Sequence, residues 1–348
     1  MNTLFRIAPV ILAATLIVPA SGRAQAFKVE KWNIGGEGGH DYLTAEPGTG
    51  RVFVSRGTHV MVIDGKTGNL LGDLSDTPRV HGIALAAKAK HGFTTNAGDS
   101  TVTMFELGTL AEIQRIRIES GGLDGIMYDD VSRQVVLTNH STPGTAVTID
   151  AQSGEMSGIA TLEDRAPEGA ATDGKGRLYV NNESKSTIQV LELNMMKVLA
   201  SWPLAPCEGP TGMALDRANM RIFVGCSGTS VVLDAKTGKV VASIKNGEGV
   251  DALGWDPTEK LIYIPAGRDG TVTVVRQDGP DTYTTVATVP TMPGAKTIAV
   301  DPVTHRAYVV ALQRGPAPAP AAGAAAPAPG SRPPMGPITG AVFMAISH

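Results

Sequence analysis

The sequence predicts an all-β fold, a seven-bladed β-propeller with four-stranded blades, and two observations lead to this prediction. First, a short apolar segment that ends in a small polar turn recurs seven times, at intervals of 40 to 45 residues. Second, each interval alternates apolar and polar residues between turn-forming residues, which is typical of strands. Repeats of this length indicate a propeller, because one small sheet cannot bury both faces alone. The seven segments are RVFVS at Arg51, HGFTT at His91, QVVLT at Gln134, RLYVN at Arg177, RIFVG at Arg221, LIYIP at Leu261 and RAYVV at Arg306.

Each repeat divides into four strands, A to D, and the turns between them explain most of the repeated aspartates. The first repeat predicts strands at Asp41–Ala45, Val52–Ser55, His59–Asp64 and Asn69–Leu74. An Asp begins the C-to-D turn, where its carboxylate can accept hydrogen bonds from turn amides, and a Gly ends that turn because it tolerates a positive φ. Three turns follow this pattern: Asp64–Gly68, Asp150–Gly154 and Asp234–Gly238. We assign these aspartates to turns and not to chemistry.

The two ends of the chain are predicted to complete one blade together. Phe27–Ile34 has strand character but no partner strands before it, and the last repeat has only three strands, at Thr297–Val300, Ala307–Leu312 and Ala341–Ile346. The first segment would supply the missing strand, which closes the ring and removes an exposed sheet edge. Residues 315–337, between the second and third of these strands, are rich in Pro, Ala and Gly, and this composition predicts an extended loop insertion.

Residues 1–26 read as a signal peptide. A single Arg6 precedes the apolar run Ile7–Pro19, and Ala24-Gln25-Ala26 has the small-residue pattern of a cleavage site. The apolar run is 13 residues long, and a membrane-spanning helix needs about 20. We therefore expect a mature domain over 27–348 that has no membrane span and is periplasmic or secreted.

Charge and cysteine content narrow the functional classes. Loss of Arg6 and Arg23 leaves 28 basic and 33 acidic residues, a net charge of −5, which argues against a protein that grips nucleic-acid phosphates. Cys207 and Cys226 both fall in the fifth repeat, and an oxidising compartment allows them to form a disulfide. The alternative is two separate buried thiols. We expect a monomer.

Two of the repeats carry a family resemblance. RVFVSRGTHVMVIDGKTGNLLGDL and RIFVGCSGTSVVLDAKTGKVVASI resemble the YVTN repeat of YncE-like bacterial propellers. The resemblance implies an exported protein with seven blades. It carries no catalytic residue over to this chain, because the family has no shared catalytic signature. The single Trp255-Asp256 dipeptide lacks the Gly-His partner of a WD40 repeat.

One end of the predicted channel is rich in polar residues. The loops before strand A and between strands B and C meet at the same end of a propeller, where function is usually carried. The residue at the start of strand A is ionisable in six of seven repeats: Asp41, His81, Asp124, Glu168, Thr211, Asp251 and Lys296. The B-to-C position holds Arg56, Asn96, Asn139 and Asn182 in the first four repeats, and His40 and His140 lie beside these positions.

These residues support more than one kind of site. Carboxylates with Asn amides suit Ca²⁺ or Mg²⁺, whereas His81 and His140 with Asp41 or Asp124 suit Zn²⁺ or Cu²⁺. Crowded carboxylates also suit acid–base catalysis, for which His81, Asp124 and Glu168 are the candidates. Alternatively, the polar groups only satisfy strand ends and hold channel water.

Other motifs contribute little. Gly35–Gly39 is glycine-rich, but a strand follows it where a phosphate site would need a helix, so we expect a flexible loop. The leading functional hypothesis is a binding or scaffold module that uses the polar rim for a small-molecule or protein ligand. The alternatives are a metal-assisted hydrolase or lyase of the lactonase type, and an accessory subunit of a periplasmic redox enzyme.

Overall fold

The computed structural model describes residues 26–317 and 335–348. Within these residues, 28 strands form seven four-stranded antiparallel sheets. Each sheet is one blade, and the first strands of neighbouring blades contact each other around a central channel. The prediction of a seven-bladed propeller is therefore confirmed. No helix in the described part of the chain has the length and apolar character to cross a bilayer.

The first three blades follow the order of the chain, from the channel outward. Blade 1 consists of β2 (Leu43–Ala45), β3 (Arg51–Ser55), β4 (Val60–Asp64) and β5 (Leu70–Leu74). Blade 2 consists of β6 (Val80–Ala86), β7 (His91–Asn96), β8 (Thr101–Glu106) and β9 (Glu112–Arg117). Blade 3 consists of β10 (Leu123–Asp129), β11 (Gln134–Asn139), β12 (Thr145–Asp150) and β13 (Met156–Thr161).

The next three blades repeat the same arrangement. Blade 4 consists of β14 (Pro167–Thr172), β15 (Arg177–Asn182), β16 (Thr187–Glu192) and β17 (Lys197–Pro203). Blade 5 consists of β18 (Gly212–Asp216), β19 (Arg221–Gly225), β20 (Thr229–Asp234) and β21 (Val240–Lys245). Blade 6 consists of β22 (Gly254–Asp256), β23 (Leu261–Ala266), β24 (Thr271–Gly279) and β25 (Thr282–Pro290).

Blade 7 closes the ring as predicted. It combines β26 (Ile298–Asp301), β27 (Arg306–Arg314) and β28 (Ile338–Ser347) with the N-terminal strand β1 (Lys28–Asn33). Strand β1 pairs antiparallel with β28 from Lys28–Ser347 to Asn33–Val342. The first and last segments of the described chain therefore share one sheet, and pairing removes the free edge that each would otherwise present.

The hairpin of β27 and β28 is longer than predicted. The Gly315 amide donates to the Pro337 carbonyl over 2.9 Å, and Arg314 Nη1 donates to the Gly336 carbonyl over 3.1 Å. These bonds close the base of the predicted insertion at 315–337. The rest of that insertion, 318–334, and all but the last residue of the predicted signal peptide lie outside the described residues.

The core lies between blades and not within them. Buried apolar residues form seven clusters in the described chain, one for each pair of neighbouring blades. Between blades 1 and 2, for example, the rings of Phe53 and Phe105 lie 6.1 Å apart. Each sheet buries both faces against its neighbours, which explains why its inner strands read as nearly continuous apolar runs.

The turns have the predicted chemistry. Asp64 Oδ1 accepts hydrogen bonds from the amides of Lys66 at 2.7 Å and Thr67 at 2.9 Å, and Gly68 has a φ of 70°. A Cβ at Gly68 would also lie 2.3 Å from Cγ of Trp32. The aspartates that begin these turns thus accept hydrogen bonds from turn amides, as predicted.

Blade 5 contains the disulfide. Cys207 and Cys226 are bonded, with their Cα atoms 5.8 Å apart, and both side chains are buried. The bond joins the loop before β18 to the end of β19 and fixes the channel end of this blade.

Candidate functional site

The starts of the inner strands bring ionisable side chains together at one mouth of the channel. We call this set the channel ring; its members come from six of the seven blades and are Asp41, His81, Asp124, His140, Glu168, Asp251 and Lys296. Blade 5 places Thr211 at this position, and its hydroxyl donates to the Val250 carbonyl at 3.0 Å. Six of the seven ring members were predicted from the repeat register at the start of strand A, and His140 was predicted from the B-to-C turn.

Ion pairs link the ring across neighbouring blades. His81 Nδ1 lies 2.6 Å from Asp41 Oδ2 and 3.4 Å from Asp124 Oδ1. His140 Nε2 lies 3.3 Å from Asp124 Oδ2 and 3.1 Å from Glu168 Oε1.

Lys296 continues this chain of charges. Its Nζ is 3.0 Å from Asp41 Oδ1 and also contacts Asp251. Negative and positive groups therefore alternate around the mouth, in the order Asp251, Lys296, Asp41, His81, Asp124, His140 and Glu168. All of these contacts except the one between His140 and Asp124 are made between blades, so six blades position the ring jointly.

Hydroxyl groups on the second strands hold the ring residues in place. Ser55 Oγ accepts a hydrogen bond from the Asp41 amide at 2.9 Å. Thr95 in blade 2 donates to the Asp124 carbonyl at 2.6 Å, and Thr138 in blade 3 donates to the Glu168 carbonyl at 3.1 Å. Each Thr thus anchors the next blade along the chain. These hydroxyls were not among the predicted site residues, although each lies one residue before the B-to-C position of its blade.

Burial and charge shift the pKa values of the ring in opposite directions. Burial lowers the pKa of His81, but the nearby carboxylates of Asp124 and Asp41 outweigh it and raise the pKa to about 9. The pKa of His140 also reaches about 9, because Glu168 and Asp124 outweigh its burial. Burial raises the pKa of Glu168 above its usual range, against the opposing effect of His140. At neutral pH both imidazoles are therefore cations that balance the carboxylates.

Two groups of three side chains have the spacing of metal ligands. Among the described residues, Asp41, His81 and Asp124 form one group, and Asp124, His140 and Glu168 form the other. Within each group the ligand atoms lie within 4.8 Å of one another. Asp124 belongs to both groups, and its Oδ1 atom is buried without a hydrogen-bond partner. An unpartnered buried carboxylate oxygen is costly, so this atom is available to a ligand.

A chamber lies next to the ring inside the channel. Its volume is about 190 Å³, and its lining is mainly apolar side chains and strand backbone, including Ile83, Ile126, Met213 and Leu253. Tyr42 lines the chamber and donates its hydroxyl to Glu168 Oε2 at 3.3 Å. Burial and the nearby carboxylates raise the pKa of Tyr42, so the hydroxyl stays protonated as a donor. Tyr42 was not among the predicted site residues, because one strand residue gives no signal for which way it faces.

The predicted B-to-C residues do not line the ring. Arg56, Asn96, Asn139 and Asn182 are all buried, and each bonds within or near its own blade. Asn96 Nδ2 donates to the hydroxyls of Thr101 at 3.1 Å and Thr103 at 2.8 Å. Asn139 donates to the Ser120 carbonyl at 2.6 Å, and Asn182 accepts the Ser184 hydroxyl at 2.9 Å. These amides bond to nearby turns, although Asn139 Oδ1 is buried without a hydrogen-bond partner, and their predicted role in ligand binding stays a prediction.

Arg56 has an unforeseen structural role. Its guanidinium donates to the carbonyls of Gly35 at 2.9 Å and Gly36 at 2.8 Å, and further bonds reach Glu37 and Gly38. The glycine-rich segment is therefore wrapped around an arginine and is not the free loop that we expected. A Cβ at Gly38 would lie 2.4 Å from the Arg56 carbonyl oxygen, so the wrap requires glycine there.

His40 lies beside the ring but outside both groups. Its Nδ1 is 3.3 Å from the Asp41 carbonyl. Burial lowers the pKa of His40, which keeps the imidazole of His40 uncharged. It is the one predicted rim histidine without a carboxylate partner among the described contacts.

Comparison with known proteins defines the class by fold alone. No family model matches the chain, and no curated protein matches it. Among solved structures, Kuenenia stuttgartiensis hydrazine synthase is similar over 84% of this chain and 95% of that chain, at 15% identity and a TM-score of 0.68. The RRP9 WD40 repeats are similar over 91% of this chain and 97% of that chain, at 9% identity and a TM-score of 0.74. A chain of the mitotic checkpoint complex matches at 14% identity, with a TM-score of 0.69 over 89% of this chain and 96% of that one. The protein is thus a seven-bladed propeller with WD40-like structural neighbours.

Proposed function

We propose that this protein is a binding module whose channel ring holds a divalent transition-metal cation. The observation that carries the proposal is the meeting of carboxylates and imidazoles from different blades in two groups with ligand spacing. Asp, Glu and His side chains are the common ligands of Zn²⁺ and of related first-row cations. The propeller fold itself suits binding and scaffold roles, because loops from many blades converge on one rigid mouth.

The structure favours a transition metal over Ca²⁺ or Mg²⁺. Those hard cations take six or more oxygen ligands, often including amide oxygens. Asn96, Asn139 and Asn182 were the predicted amide ligands, and all three are buried at the ends of strands, where their side chains bond to nearby turns and loops. What remains at the mouth is a set of carboxylates with His81 and His140, and imidazole nitrogen suits Zn²⁺, Ni²⁺ or Cu²⁺.

A metal-assisted hydrolase or lyase is the second candidate, and the chamber beside the ring favours it. A cation held by Asp124 would polarise a carbonyl, and Glu168 or His81 would move a proton. At about 190 Å³, the chamber is smaller than the roughly 300–1,000 Å³ of pockets for drug-sized ligands. Any substrate that enters it would be a small molecule, in line with a lactone-sized compound.

Export is also proposed, together with membership of the YVTN-repeat, YncE-like class. Support comes from the signal-peptide pattern of residues 1–26, the repeat strings and the paired Cys207 and Cys226, since disulfides persist in oxidising compartments. The protein would then be periplasmic or secreted and work as a monomer on a small molecule or a protein, and not on nucleic acid. An accessory role beside a redox enzyme has no support beyond the shared fold.

A calorimetric titration tests the proposed function. The full mature chain, stripped with a chelator, is titrated with Zn²⁺ and separately with Ca²⁺ at about pH 8, where cations displace imidazole protons more readily. We expect saturable Zn²⁺ binding and weaker Ca²⁺ binding. Asp124→Asn is expected to weaken Zn²⁺ binding about 100-fold or more, since Asp124 belongs to both groups.

Asp278→Asn is the matched control, because it makes the same chemical change at an exposed carboxylate whose partners among the described residues are Arg276 and Thr284. It should bind Zn²⁺ as the unmodified protein does. Absence of any Zn²⁺ binding, or equal loss in both variants, would contradict the proposed function.

A further inference from the structure

We infer that the channel ring binds two cations and that Asp124 bridges them with its two carboxylate oxygens. This inference rests on the proposed function and adds the number of cations and the bridging role of one residue. The two groups with ligand spacing have only Asp124 in common.

The orientation of the Asp124 carboxylate favours a bridging role. Its Oδ1 faces His81 Nδ1 at 3.4 Å, and its Oδ2 faces His140 Nε2 at 3.3 Å. The two oxygens therefore point to different imidazoles from different blades. One cation bound through both oxygens could not also lie in the middle of each group. Bridging carboxylates of this kind place two cations about 3.5–4 Å apart in known two-metal sites.

The distances between the ligand atoms suit one tetrahedral cation in each group. In a tetrahedral site with ligands about 2.0–2.1 Å from the metal, neighbouring ligand atoms are about 3.3 Å apart. The His81–Asp124 and His140–Asp124 separations are 3.4 and 3.3 Å, and the His140–Glu168 separation is 3.1 Å. Three of the four contacts thus already have the length of a tetrahedral edge. The fourth, between His81 and Asp41 at 2.6 Å, is a hydrogen bond that must open by about 0.7 Å to reach that edge.

The two groups contain more oxygen atoms than their protons can satisfy, which also favours bound cations. His140 Nε2 has one proton at most and faces three oxygens, on Asp124, Glu168 and the Pro167 carbonyl, all within 3.3 Å. Asp124 Oδ1 has no hydrogen-bond partner although it is buried. A cation in each group would coordinate the oxygens that one proton cannot satisfy.

The ring has enough negative charge to hold divalent cations. Asp41, Asp124, Glu168 and Asp251 supply up to four negative charges, and Lys296 neutralises one of them through Asp41 Oδ1 and Asp251. Lys296 uses Oδ1 of Asp41 and leaves Oδ2 on the side of His81. Up to three negative charges remain beside the two groups, so the inferred number of cations follows from the geometry and not from the charge.

Metal stoichiometry and spin coupling test the inference on the full mature chain. Mass spectrometry of the dialysed protein should give two Zn²⁺ per chain. Mn²⁺ loaded in place of Zn²⁺ should give an exchange-coupled electron paramagnetic resonance spectrum, because a shared carboxylate joins the two ions. This measurement needs no variant, so it does not depend on whether a substituted protein folds.

Variants assign each cation to its group. His81→Ala should retain one cation, held by His140 and Glu168, and His140→Ala should retain one held by His81 and Asp41. Asp124→Asn should weaken both sites by about 100-fold, and Asp278→Asn should leave two. One cation in the unmodified protein, or two without spin coupling, would overturn the bridge while the proposed function stands. No bound cation would overturn both.

Discussion

Two positions recur once in every blade, and they have opposite roles. In six blades the residue at the start of strand A enters the channel ring, where most of its partners are side chains of neighbouring blades. The residue at the end of strand B, such as Arg56 or Asn96, is buried and bonds mainly to turns of its own blade or to the adjoining segment. Both positions are polar and both lie near one end of the propeller. A polar residue satisfied by nearby backbone and turns has no capacity left for a ligand, whereas one satisfied by distant side chains can exchange them for a cation.

The largest effect expected from this comparison is on stability. Arg56→Met should lower the free energy of unfolding by about 3–5 kcal/mol, because four carbonyls of the 35–38 segment lose the charged donor of a fully buried side chain. Urea denaturation measures the loss, and the number of Zn²⁺ bound per folded chain should not change. The control is Arg268→Met, at an exposed arginine 3.8 Å from Glu248, with an expected change below about 0.5 kcal/mol. Loss of cation binding with unchanged stability would reverse the roles that we assign.

An intermediate effect is expected within the ring. Lys296→Met should tighten cation binding about three- to tenfold, because it removes a positive charge that contacts Asp41 and Asp251. Titration calorimetry at two salt concentrations measures this, and the gain should shrink at high salt. Lys296→Arg keeps the charge and should leave the affinity unchanged. Weaker binding in the Met variant would show that Lys296 supports the site and does not compete with the cation.

The smallest effect is expected at the opposite end of the propeller, where a histidine joins two blades without forming part of the ring. His305 Nδ1 lies 2.8 Å from Asp256 Oδ2, and Glu259 and Asp301 add negative charge. The hydrogen bond that His305 donates to the Asp256 carboxylate raises the pKa of His305 in the folded protein. Its stabilising contribution is therefore complete below the unfolded pKa of about 6.5 and is lost as pH rises through the higher folded pKa.

His305→Asn should remove that contribution, and Asn tolerates the φ of 56° at this position. The difference in unfolding free energy from the unmodified protein should be a few tenths to about 1 kcal/mol at about pH 5.5 and smaller at about pH 9. Zn²⁺ stoichiometry should stay the same. A difference that grew with pH would contradict the sign of this pKa shift.

Much of the fold could be predicted from the residues because its signals are local. The periodic strands, the Asp-to-Gly turns and the missing strand of blade 7 each depend on residues close in the chain, and the structure confirms them. Strand bounds differ by only a few residues, as for β27, which runs to Arg314 where we predicted Leu312. The shared repeat of the two cysteines in blade 5 allowed either a disulfide or two separate thiols, and the structure contains the disulfide.

The site could be predicted only in part. The repeat register identified Asp41, His81 and Asp124 because the start of strand A always faces the channel. The same register could not show that Arg56 and the three Asn residues bond to nearby turns and segments, because it gives the height of a residue along the blade and not the direction of its side chain. Tyr42 was missed for the same reason.

The sequence by itself determined the number of blades, their turns and the ring closure, since these follow from apolar periodicity and from residues within a few positions of each other. Only the tertiary structure decided which polar groups meet. Asp124 contacts His81 from blade 2 and stands beside His140 of its own blade, and such contacts depend on how neighbouring sheets are rotated around the channel. The physical reason is that a strand repeat defines one blade, whereas a ligand site at the channel mouth is made between blades.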